Sequence, residues 1–315
     1  MAQKSNLILR SVVSFVLIAA LLSCKDKGES GFVGKSGKKE RPIEMAGSPL
    51  SQDFKEYWYA GKAEISSYAL EQARYGEMRD GTAVLIYVTE PFLADRQVKA
   101  DKSKPDDISV LKLNSTKNFL TGIYPYSIMN SSFYPVQDNQ HALKLTSSVQ
   151  EWCGQVFTQL NNREGFDIQS FSYFESEGDR HLELDRTHLE NEIWNRIRIN
   201  PDKLPTGKID IIPSLEYLRL AHRDIKAYEA VAELHKGQDY YQYTLTYPTL
   251  DRTLTINFSK TFPYGIEGWS ESSKSGHGPE AKTLTTRARK IKTLMRAYWQ
   301  ENKNTDVFLR DSLGL

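Results

Sequence analysis

The sequence predicts a mainly β protein: a large antiparallel sheet or open barrel, with one short helix at about 187–199 and a short helix near the C-terminus. Three observations carry this. Apolar residues recur with a period of two, turn signals punctuate those runs, and one segment alone has a clear helical start, face and stop. Tyr241, Tyr243, Leu245 and Tyr247 alternate with Gln242, Thr244 and Thr246, and Leu254, Ile256 and Phe258 alternate with Thr253, Thr255 and Asn257. Each run is a strand with one face in the core. Pro248-Thr249-Leu250-Asp251 between them reads as the turn of an antiparallel hairpin.

Further turn signals occur at Asp80-Gly81, Asn161 to Gly165, Glu177-Gly178-Asp179 and His235-Lys236-Gly237. The runs between them are rich in Tyr, Phe, Val, Ile and Thr. They yield about ten strands. For the helix, Thr187-x-x-Glu190 reads as a capping box, Leu189, Ile193, Trp194 and Ile197 share a face, and Asn200-Pro201 stops it. A lone helix on a large sheet plugs its concave face or open end. Residues 284–299 fit helical spacing, but Thr283, Thr285, Thr286, Tyr298 and Trp299 favour a strand entered from a turn at Gly276 to Pro279. A short helix follows at 305–313. Similar starts at Trp58 and Ile225 hint at two half-sheets joined by the helical segment.

Residues 1–23 read as an export signal. Lys4 and Arg10 precede an apolar run from Ser11 to Leu22, which is too short to span a bilayer. Leu21-Leu22-Ser23-Cys24 resembles a bacterial lipobox. The resemblance implies that Cys24 receives diacylglycerol and becomes the mature N-terminus. Several acyl chains on one cysteine anchor a protein stably. Residues 24–50 are rich in Gly, Ser and charge and read as a flexible tether with a reach of about 25–30 Å. Gly34-Lys35-Ser36 mimics the end of a P-loop, but Glu29 stands where that motif needs glycine. Residues 51–315 form a single antiparallel β domain, whole or in two half-sheets.

The chain has 41 Lys+Arg and 40 Asp+Glu; removing the signal leaves 39 bases against 40 acids. That balance offers no footprint for nucleic acid. Apart from Cys24 the sequence has one cysteine, Cys153, so no intramolecular disulfide is expected. Within Trp152-Cys153-Gly154 it reads as a small buried hydrophobe.

The best local constellation for chemistry is Asp179-x-His181-x-Glu183-x-Asp185, with His188 beyond it. On a strand the four alternate residues share a face and are metal-ligand types. His181, Glu183, Asp185 and His188 are therefore candidate metal ligands, against the plainer reading of a solvated strand face. His141, His222, His235 and His277 have no partner in the sequence pattern. No nucleophile elbow, H-E-x-x-H, GxGxxG or CxxC is present, so no cofactor is expected and the chain reads as non-enzymatic. The 17 Tyr, 13 Phe and 5 Trp fill a β core or, in part, line a pocket.

Ala60 to Tyr68, Tyr247 to Ser259 and Phe262 to Trp269 resemble uncharacterised bacterial envelope lipoproteins with large antiparallel sheets. Such chains are sometimes labelled septum formation inhibitor Maf. Maf proteins are cytoplasmic α/β pyrophosphatases opening on Ser-x-Ser-x-Arg-Arg, a motif absent here. The resemblance implies a lipid-anchored envelope protein, with the outer membrane favoured over the inner, that binds a protein partner or supports envelope structure. Two alternatives stand beside it: a carrier or scavenger of a hydrophobic ligand (lipid or lipoprotein acyl chains), and a hydrolase with a site near Asp179–His188. The anchor has a direct test. Cys24→Ser leaves an unprocessed precursor that takes up no palmitate label in bacteria; ordinary labelling of that variant contradicts the lipidation site.

Overall fold

Sixteen strands make one sheet in the computed structural model, which describes residues 50–137, 141–276 and 278–315. Cys24, the export signal, the tether and His277 lie outside the described residues. A short helix, α1 (Gln52–Trp58), leads into β1 (Ala63–Arg74). The chain then meanders through β2 (Glu77–Leu93), β3 (Val98–Lys99), β4 (Ile108–Thr121), β5 (Tyr124–Pro135), β6 (Lys144–Glu151), β7 (Gly154–Asn162), β8 (Phe166–Ser172) and β9 (Arg180–Leu184). After β10 (His188–Leu189) comes α2 (Glu190–Ile199). A second meander follows: β11 (Gly207–Ile212), α3 (Leu215–Leu220), β12 (Tyr228–Lys236), β13 (Tyr241–Tyr247), β14 (Arg252–Phe258), β15 (Ile266–Ser275) and β16 (Lys282–Arg296). α4 (Phe308–Leu313) ends the chain.

The last strand closes onto the first. β16 pairs antiparallel with β1, so the two meanders become one sheet whose edges are β9 and β10, with β3 paired to β2 outside the main order. Among the described residues only β10 and β11 pair in parallel. The sheet wraps around α2, because this one helix reaches strands far apart in the order. Arg198 meets Glu64 of β1, Asn195 donates to Leu111 O of β4, and Glu190 meets Arg252 of β14.

The period-two reading holds where it is strongest. Tyr243, Leu245 and Tyr247 are buried and face Ile256, Leu254 and Arg252 across the β13–β14 hairpin. Asp251 closes that turn in the left-handed region at φ 47°. Residues 282–296 are strand, and the short C-terminal helix packs on the outer face of β1 and β16. There Leu313 joins Ala63, Ile65 and Val88, and Ser67 Oγ donates to Leu313 O.

Three local expectations are corrected. Asp80-Gly81 is not a turn; it lies inside β2, and the turn is Tyr75-Gly76, both at positive φ. Gly81 is needed for close approach, since a Cβ there would lie 2.4 Å from Asn118 O of β4. The Thr187 capping box does not form. Thr187 Oγ1 donates to Asp210 O, and Leu189, the residue before α2, caps nothing with its side chain. β10 pairs with β11 right up to the helix, so the backbone enters α2 from a strand and not from a cap. Cys153 is exposed, because it sits at the tip of the β6–β7 hairpin beside the exposed Trp152.

α2 is amphipathic in neither usual sense: Glu190, Glu192, Asn195, Arg196 and Arg198 are buried with Ile193 and Ile197. Buried charge is tolerated only when paired. Arg252 meets Glu190 through two hydrogen bonds of 2.5 and 2.7 Å, and Tyr247 OH donates to the same carboxylate at 2.6 Å. Removing one member strands the other in the core, at a cost of about 3–5 kcal/mol. Glu190→Leu and Arg252→Met singly should each lower the urea midpoint strongly. The double variant Glu190→Leu/Arg252→Met should lose less than the two single losses together. Strictly additive losses would show that the pair is not coupled.

Candidate functional site

Under α2 and α3, on the inner face of the sheet, lies a cavity of about 50 Å³. Its walls include Trp194 of α2, Trp269 and Glu271 of β15, Lys117 of β4, Asn130 and Ser132 of β5, and Glu216 of α3. It has room for a few water-sized groups. Glu216 and Glu271 also line a wider cavity of about 300 Å³, where Arg74, Tyr75, Tyr217, Arg223 and Lys274 are found. The two carboxylates thus line both cavities.

Strand alternation puts the polar groups there. On β5 the inward residues are Tyr126, Ile128, Asn130, Ser132 and Tyr134, all buried. On β4 they include Leu113, Lys117 and Phe119. Asn130, Ser132 and Lys117 therefore occupy positions that elsewhere in the same strands hold core side chains. α3 seats Glu216 above them, after Ser214 caps the helix by accepting from Tyr217 N–H at 3.1 Å.

The chamber's charges form a connected series. Lys117 Nζ donates to Glu216 Oε1 at 2.8 Å, and Asn130 Nδ2 donates to Glu216 Oε2 at 2.8 Å. Arg252 Nε donates to Glu271 Oε1 at 2.7 Å while its other nitrogens hold Glu190. Burial alone would raise the Glu271 carboxyl, but the charges of Arg252 and Lys117 outweigh it and hold it below the usual carboxylate value. Burial alone would lower Lys117, but Glu216 and Glu271 hold it above its usual value. Both groups are ionised at neutral pH. Two polar atoms are left over: Asn130 Oδ1 and Ser132 Oγ are buried and find no hydrogen-bond partner among the described residues.

At the other end of α2, Arg198 donates to both oxygens of Glu64 at 2.7 and 2.6 Å and stacks over Tyr87 and Trp58. Tyr57 OH adds a third hydrogen bond to Glu64 at 2.5 Å. This end has no cavity role; it anchors the helix that roofs the chamber.

The predicted metal-ligand row is split. His181 is exposed on β9 and 2.8 Å from Asp167, and Glu183 and Asp185 are exposed too. Leu182 and Leu184 pack against the core as the alternation requires. His188 leaves the row, because β10 turns back to pair with β11; it lies beside His141 and Glu192, with ligand atoms of all three within 4.8 Å of one another. His222 is at 2.9 Å from Glu177, which Arg219 also contacts. The chamber residues form no local sequence motif, because they come from β4, β5, β15, α2 and α3. The usable signal was a polar side chain at an inward-facing position.

No protein family matches this chain, and no curated protein matches it. Among solved structures it is similar to a porin-like protein from Bacteroides uniformis, at 9% identity and a TM-score of 0.21, over 73% of this chain and 96% of that one. At that level the likeness says nothing about what this chain does.

The depressed carboxylates have a consequence for stability. Burial raises the Glu64 carboxyl, and Arg198, followed by Tyr57, more than reverses this, so Glu64, like Glu271, titrates below its ordinary 4.5 in the folded chain. A folded value below the unfolded one gives stability that is complete above the unfolded value and lost as pH falls through the folded one. The urea midpoint should be steady above about pH 5.5 and fall steeply below about pH 4.5. Glu64→Gln should be less stable at neutral pH and show a shallower fall. An unchanged slope in that variant contradicts the assignment.

Proposed function

We propose that this is a non-enzymatic binding protein of the bacterial envelope, held by lipid on Cys24, that takes a small polar ligand into the chamber beneath α2 and α3. The observation that carries the reading is the pair of unmet polar atoms, Asn130 Oδ1 and Ser132 Oγ, on a cavity also lined by Trp194, Trp269 and Lys117. A buried polar atom without a partner costs about 1–3 kcal/mol, so a ligand bearing hydroxyl or amide groups gains by satisfying it. Mostly apolar walls with a few converging polar groups are the usual make-up of a small-molecule site.

The ligand is polar and not a lipid. Tyr68, Tyr87, Tyr126, Tyr243 and Tyr247 are fully buried and fill the inner face, and the cavity that remains is bordered by Glu190, Glu216 and Glu271. An acyl chain there would lie against ion-paired carboxylates and a lysine and would offer no hydrogen bond to the unmet polar atoms. The lipobox resemblance at Cys24 supports the envelope placement.

Native mass spectrometry of the chain purified from a bacterial envelope tests this. A small hydrophilic molecule should co-purify and should be lost in Ser132→Leu, whose side chain projects into the cavity. Retention of the molecule by Ser132→Leu would place its site elsewhere, and a co-purifying lipid would favour the carrier alternative.

A further inference from the structure

We propose that His141, His188 and Glu192 form a binding site for a zinc ion, separate from the chamber. The three come from different parts of the chain. His141 lies just before β6, His188 opens β10, and Glu192 stands one helical turn beyond His188 on α2. Because β10 runs straight into α2, the four-residue spacing brings His188 and Glu192 to the same spot.

The geometry is close to that of a bound ion. His141 Nδ1 is 3.1 Å from Glu192 Oε1. Two ligand atoms on one tetrahedral zinc, at bonds of about 2.0–2.1 Å, stand about 3.4 Å apart. The third ligand atom lies within 4.8 Å of both, so a side-chain adjustment of about 1 Å completes the set. Two imidazoles and one carboxylate suit zinc better than magnesium or calcium, which favour all-oxygen sites. Three protein ligands leave a fourth position for water.

The surroundings support two of the ligands. Glu192 is wholly buried, and its other oxygen accepts the Ala142 N–H at 2.8 Å, which fixes the carboxylate plane. The edge contact between the rings of His141 and Phe166, centroids 5.6 Å apart, holds His141 in place.

Arg196 now supplies the positive charge that the buried Glu192 needs. Its Nη1 lies 3.6 Å from Glu192 Oε1 and 3.5 Å from His188 Nδ1, while Nη2 donates to Lys203 O at 2.8 Å. A zinc ion would take over that role, and the guanidinium would keep its hydrogen bond to Lys203 O. Arg196 therefore competes with the metal for the same two groups.

The test is a zinc titration of the purified, chelator-treated full chain by calorimetry, with cobalt absorption as a second readout. One equivalent should bind with a dissociation constant below about 10 μM, and cobalt should give the intense visible bands of a tetrahedral site. His141→Ala and His188→Ala should each weaken binding by about tenfold or more. His181→Ala should bind as the unaltered chain does, and Arg196→Gln should bind more tightly. Failure of the unaltered chain to bind zinc or to give the cobalt bands overturns the proposal, whatever the variants do. So does equal binding by folded His141→Ala and His188→Ala.

Discussion

The fold depends on keeping charge paired inside a β-sheet. α2 carries Glu190 and Glu192 near its start and Arg196 and Arg198 near its end, and all four are buried. Such a helix has no reason to leave water on its own. It becomes tolerable only when the sheet presents opposite charges at the right places, and it does so at both ends. Arg252 receives Glu190, and Glu64 receives Arg198, each through paired hydrogen bonds. The helix direction also puts acids at its N-terminus and bases at its C-terminus, which suits the helix dipole.

These two clamps fix more than the helix. Glu64 lies in β1 and Arg252 in β14, strands on opposite sides of the β16–β1 seam that joins the two meanders. One helix therefore ties both halves together across the concave side. Ion pairs in the core do not make a protein more stable than well-packed apolar residues would. Their value is that they admit a single placement of α2, because a shifted helix leaves four charges unmatched. A fixed roof is what gives the chamber beneath it a defined shape.

Much of this was legible in the sequence, and the failures cluster. The β13–β14 hairpin follows from alternation and turn residues, because Tyr243, Leu245, Leu254 and Ile256 make an apolar inward face; the strand within 284–299 is favoured by its Thr and aromatic residues against a competing helical spacing. β5 and β6 were harder to read. Ser127 to Ser132 and Thr146 to Ser148 show little apolar alternation, since Asn130, Ser132 and Ser147 are buried on the inner face among larger residues. Sequence pattern loses its signal where the core is polar, and there the polar core is the candidate site. The pairings of Glu64 with Arg198 and of Glu190 with Arg252 have no sequence signal, since a partner 62 or 134 residues away leaves no local trace. His181 and Glu183 of the candidate metal row lie exposed on β9, while His188 sits with Glu192, four residues further on, beyond the span of the row.

The most direct measurement is amide hydrogen exchange along α2. A helix clamped inside the sheet should release its amides from Ile193 to Ile199 only when the whole domain unfolds, with the same protection as β13 and β14. Exchange of those amides while β13 and β14 remain protected would mean that α2 leaves the sheet independently. In that case the two arginine–glutamate pairs do not hold the structure together.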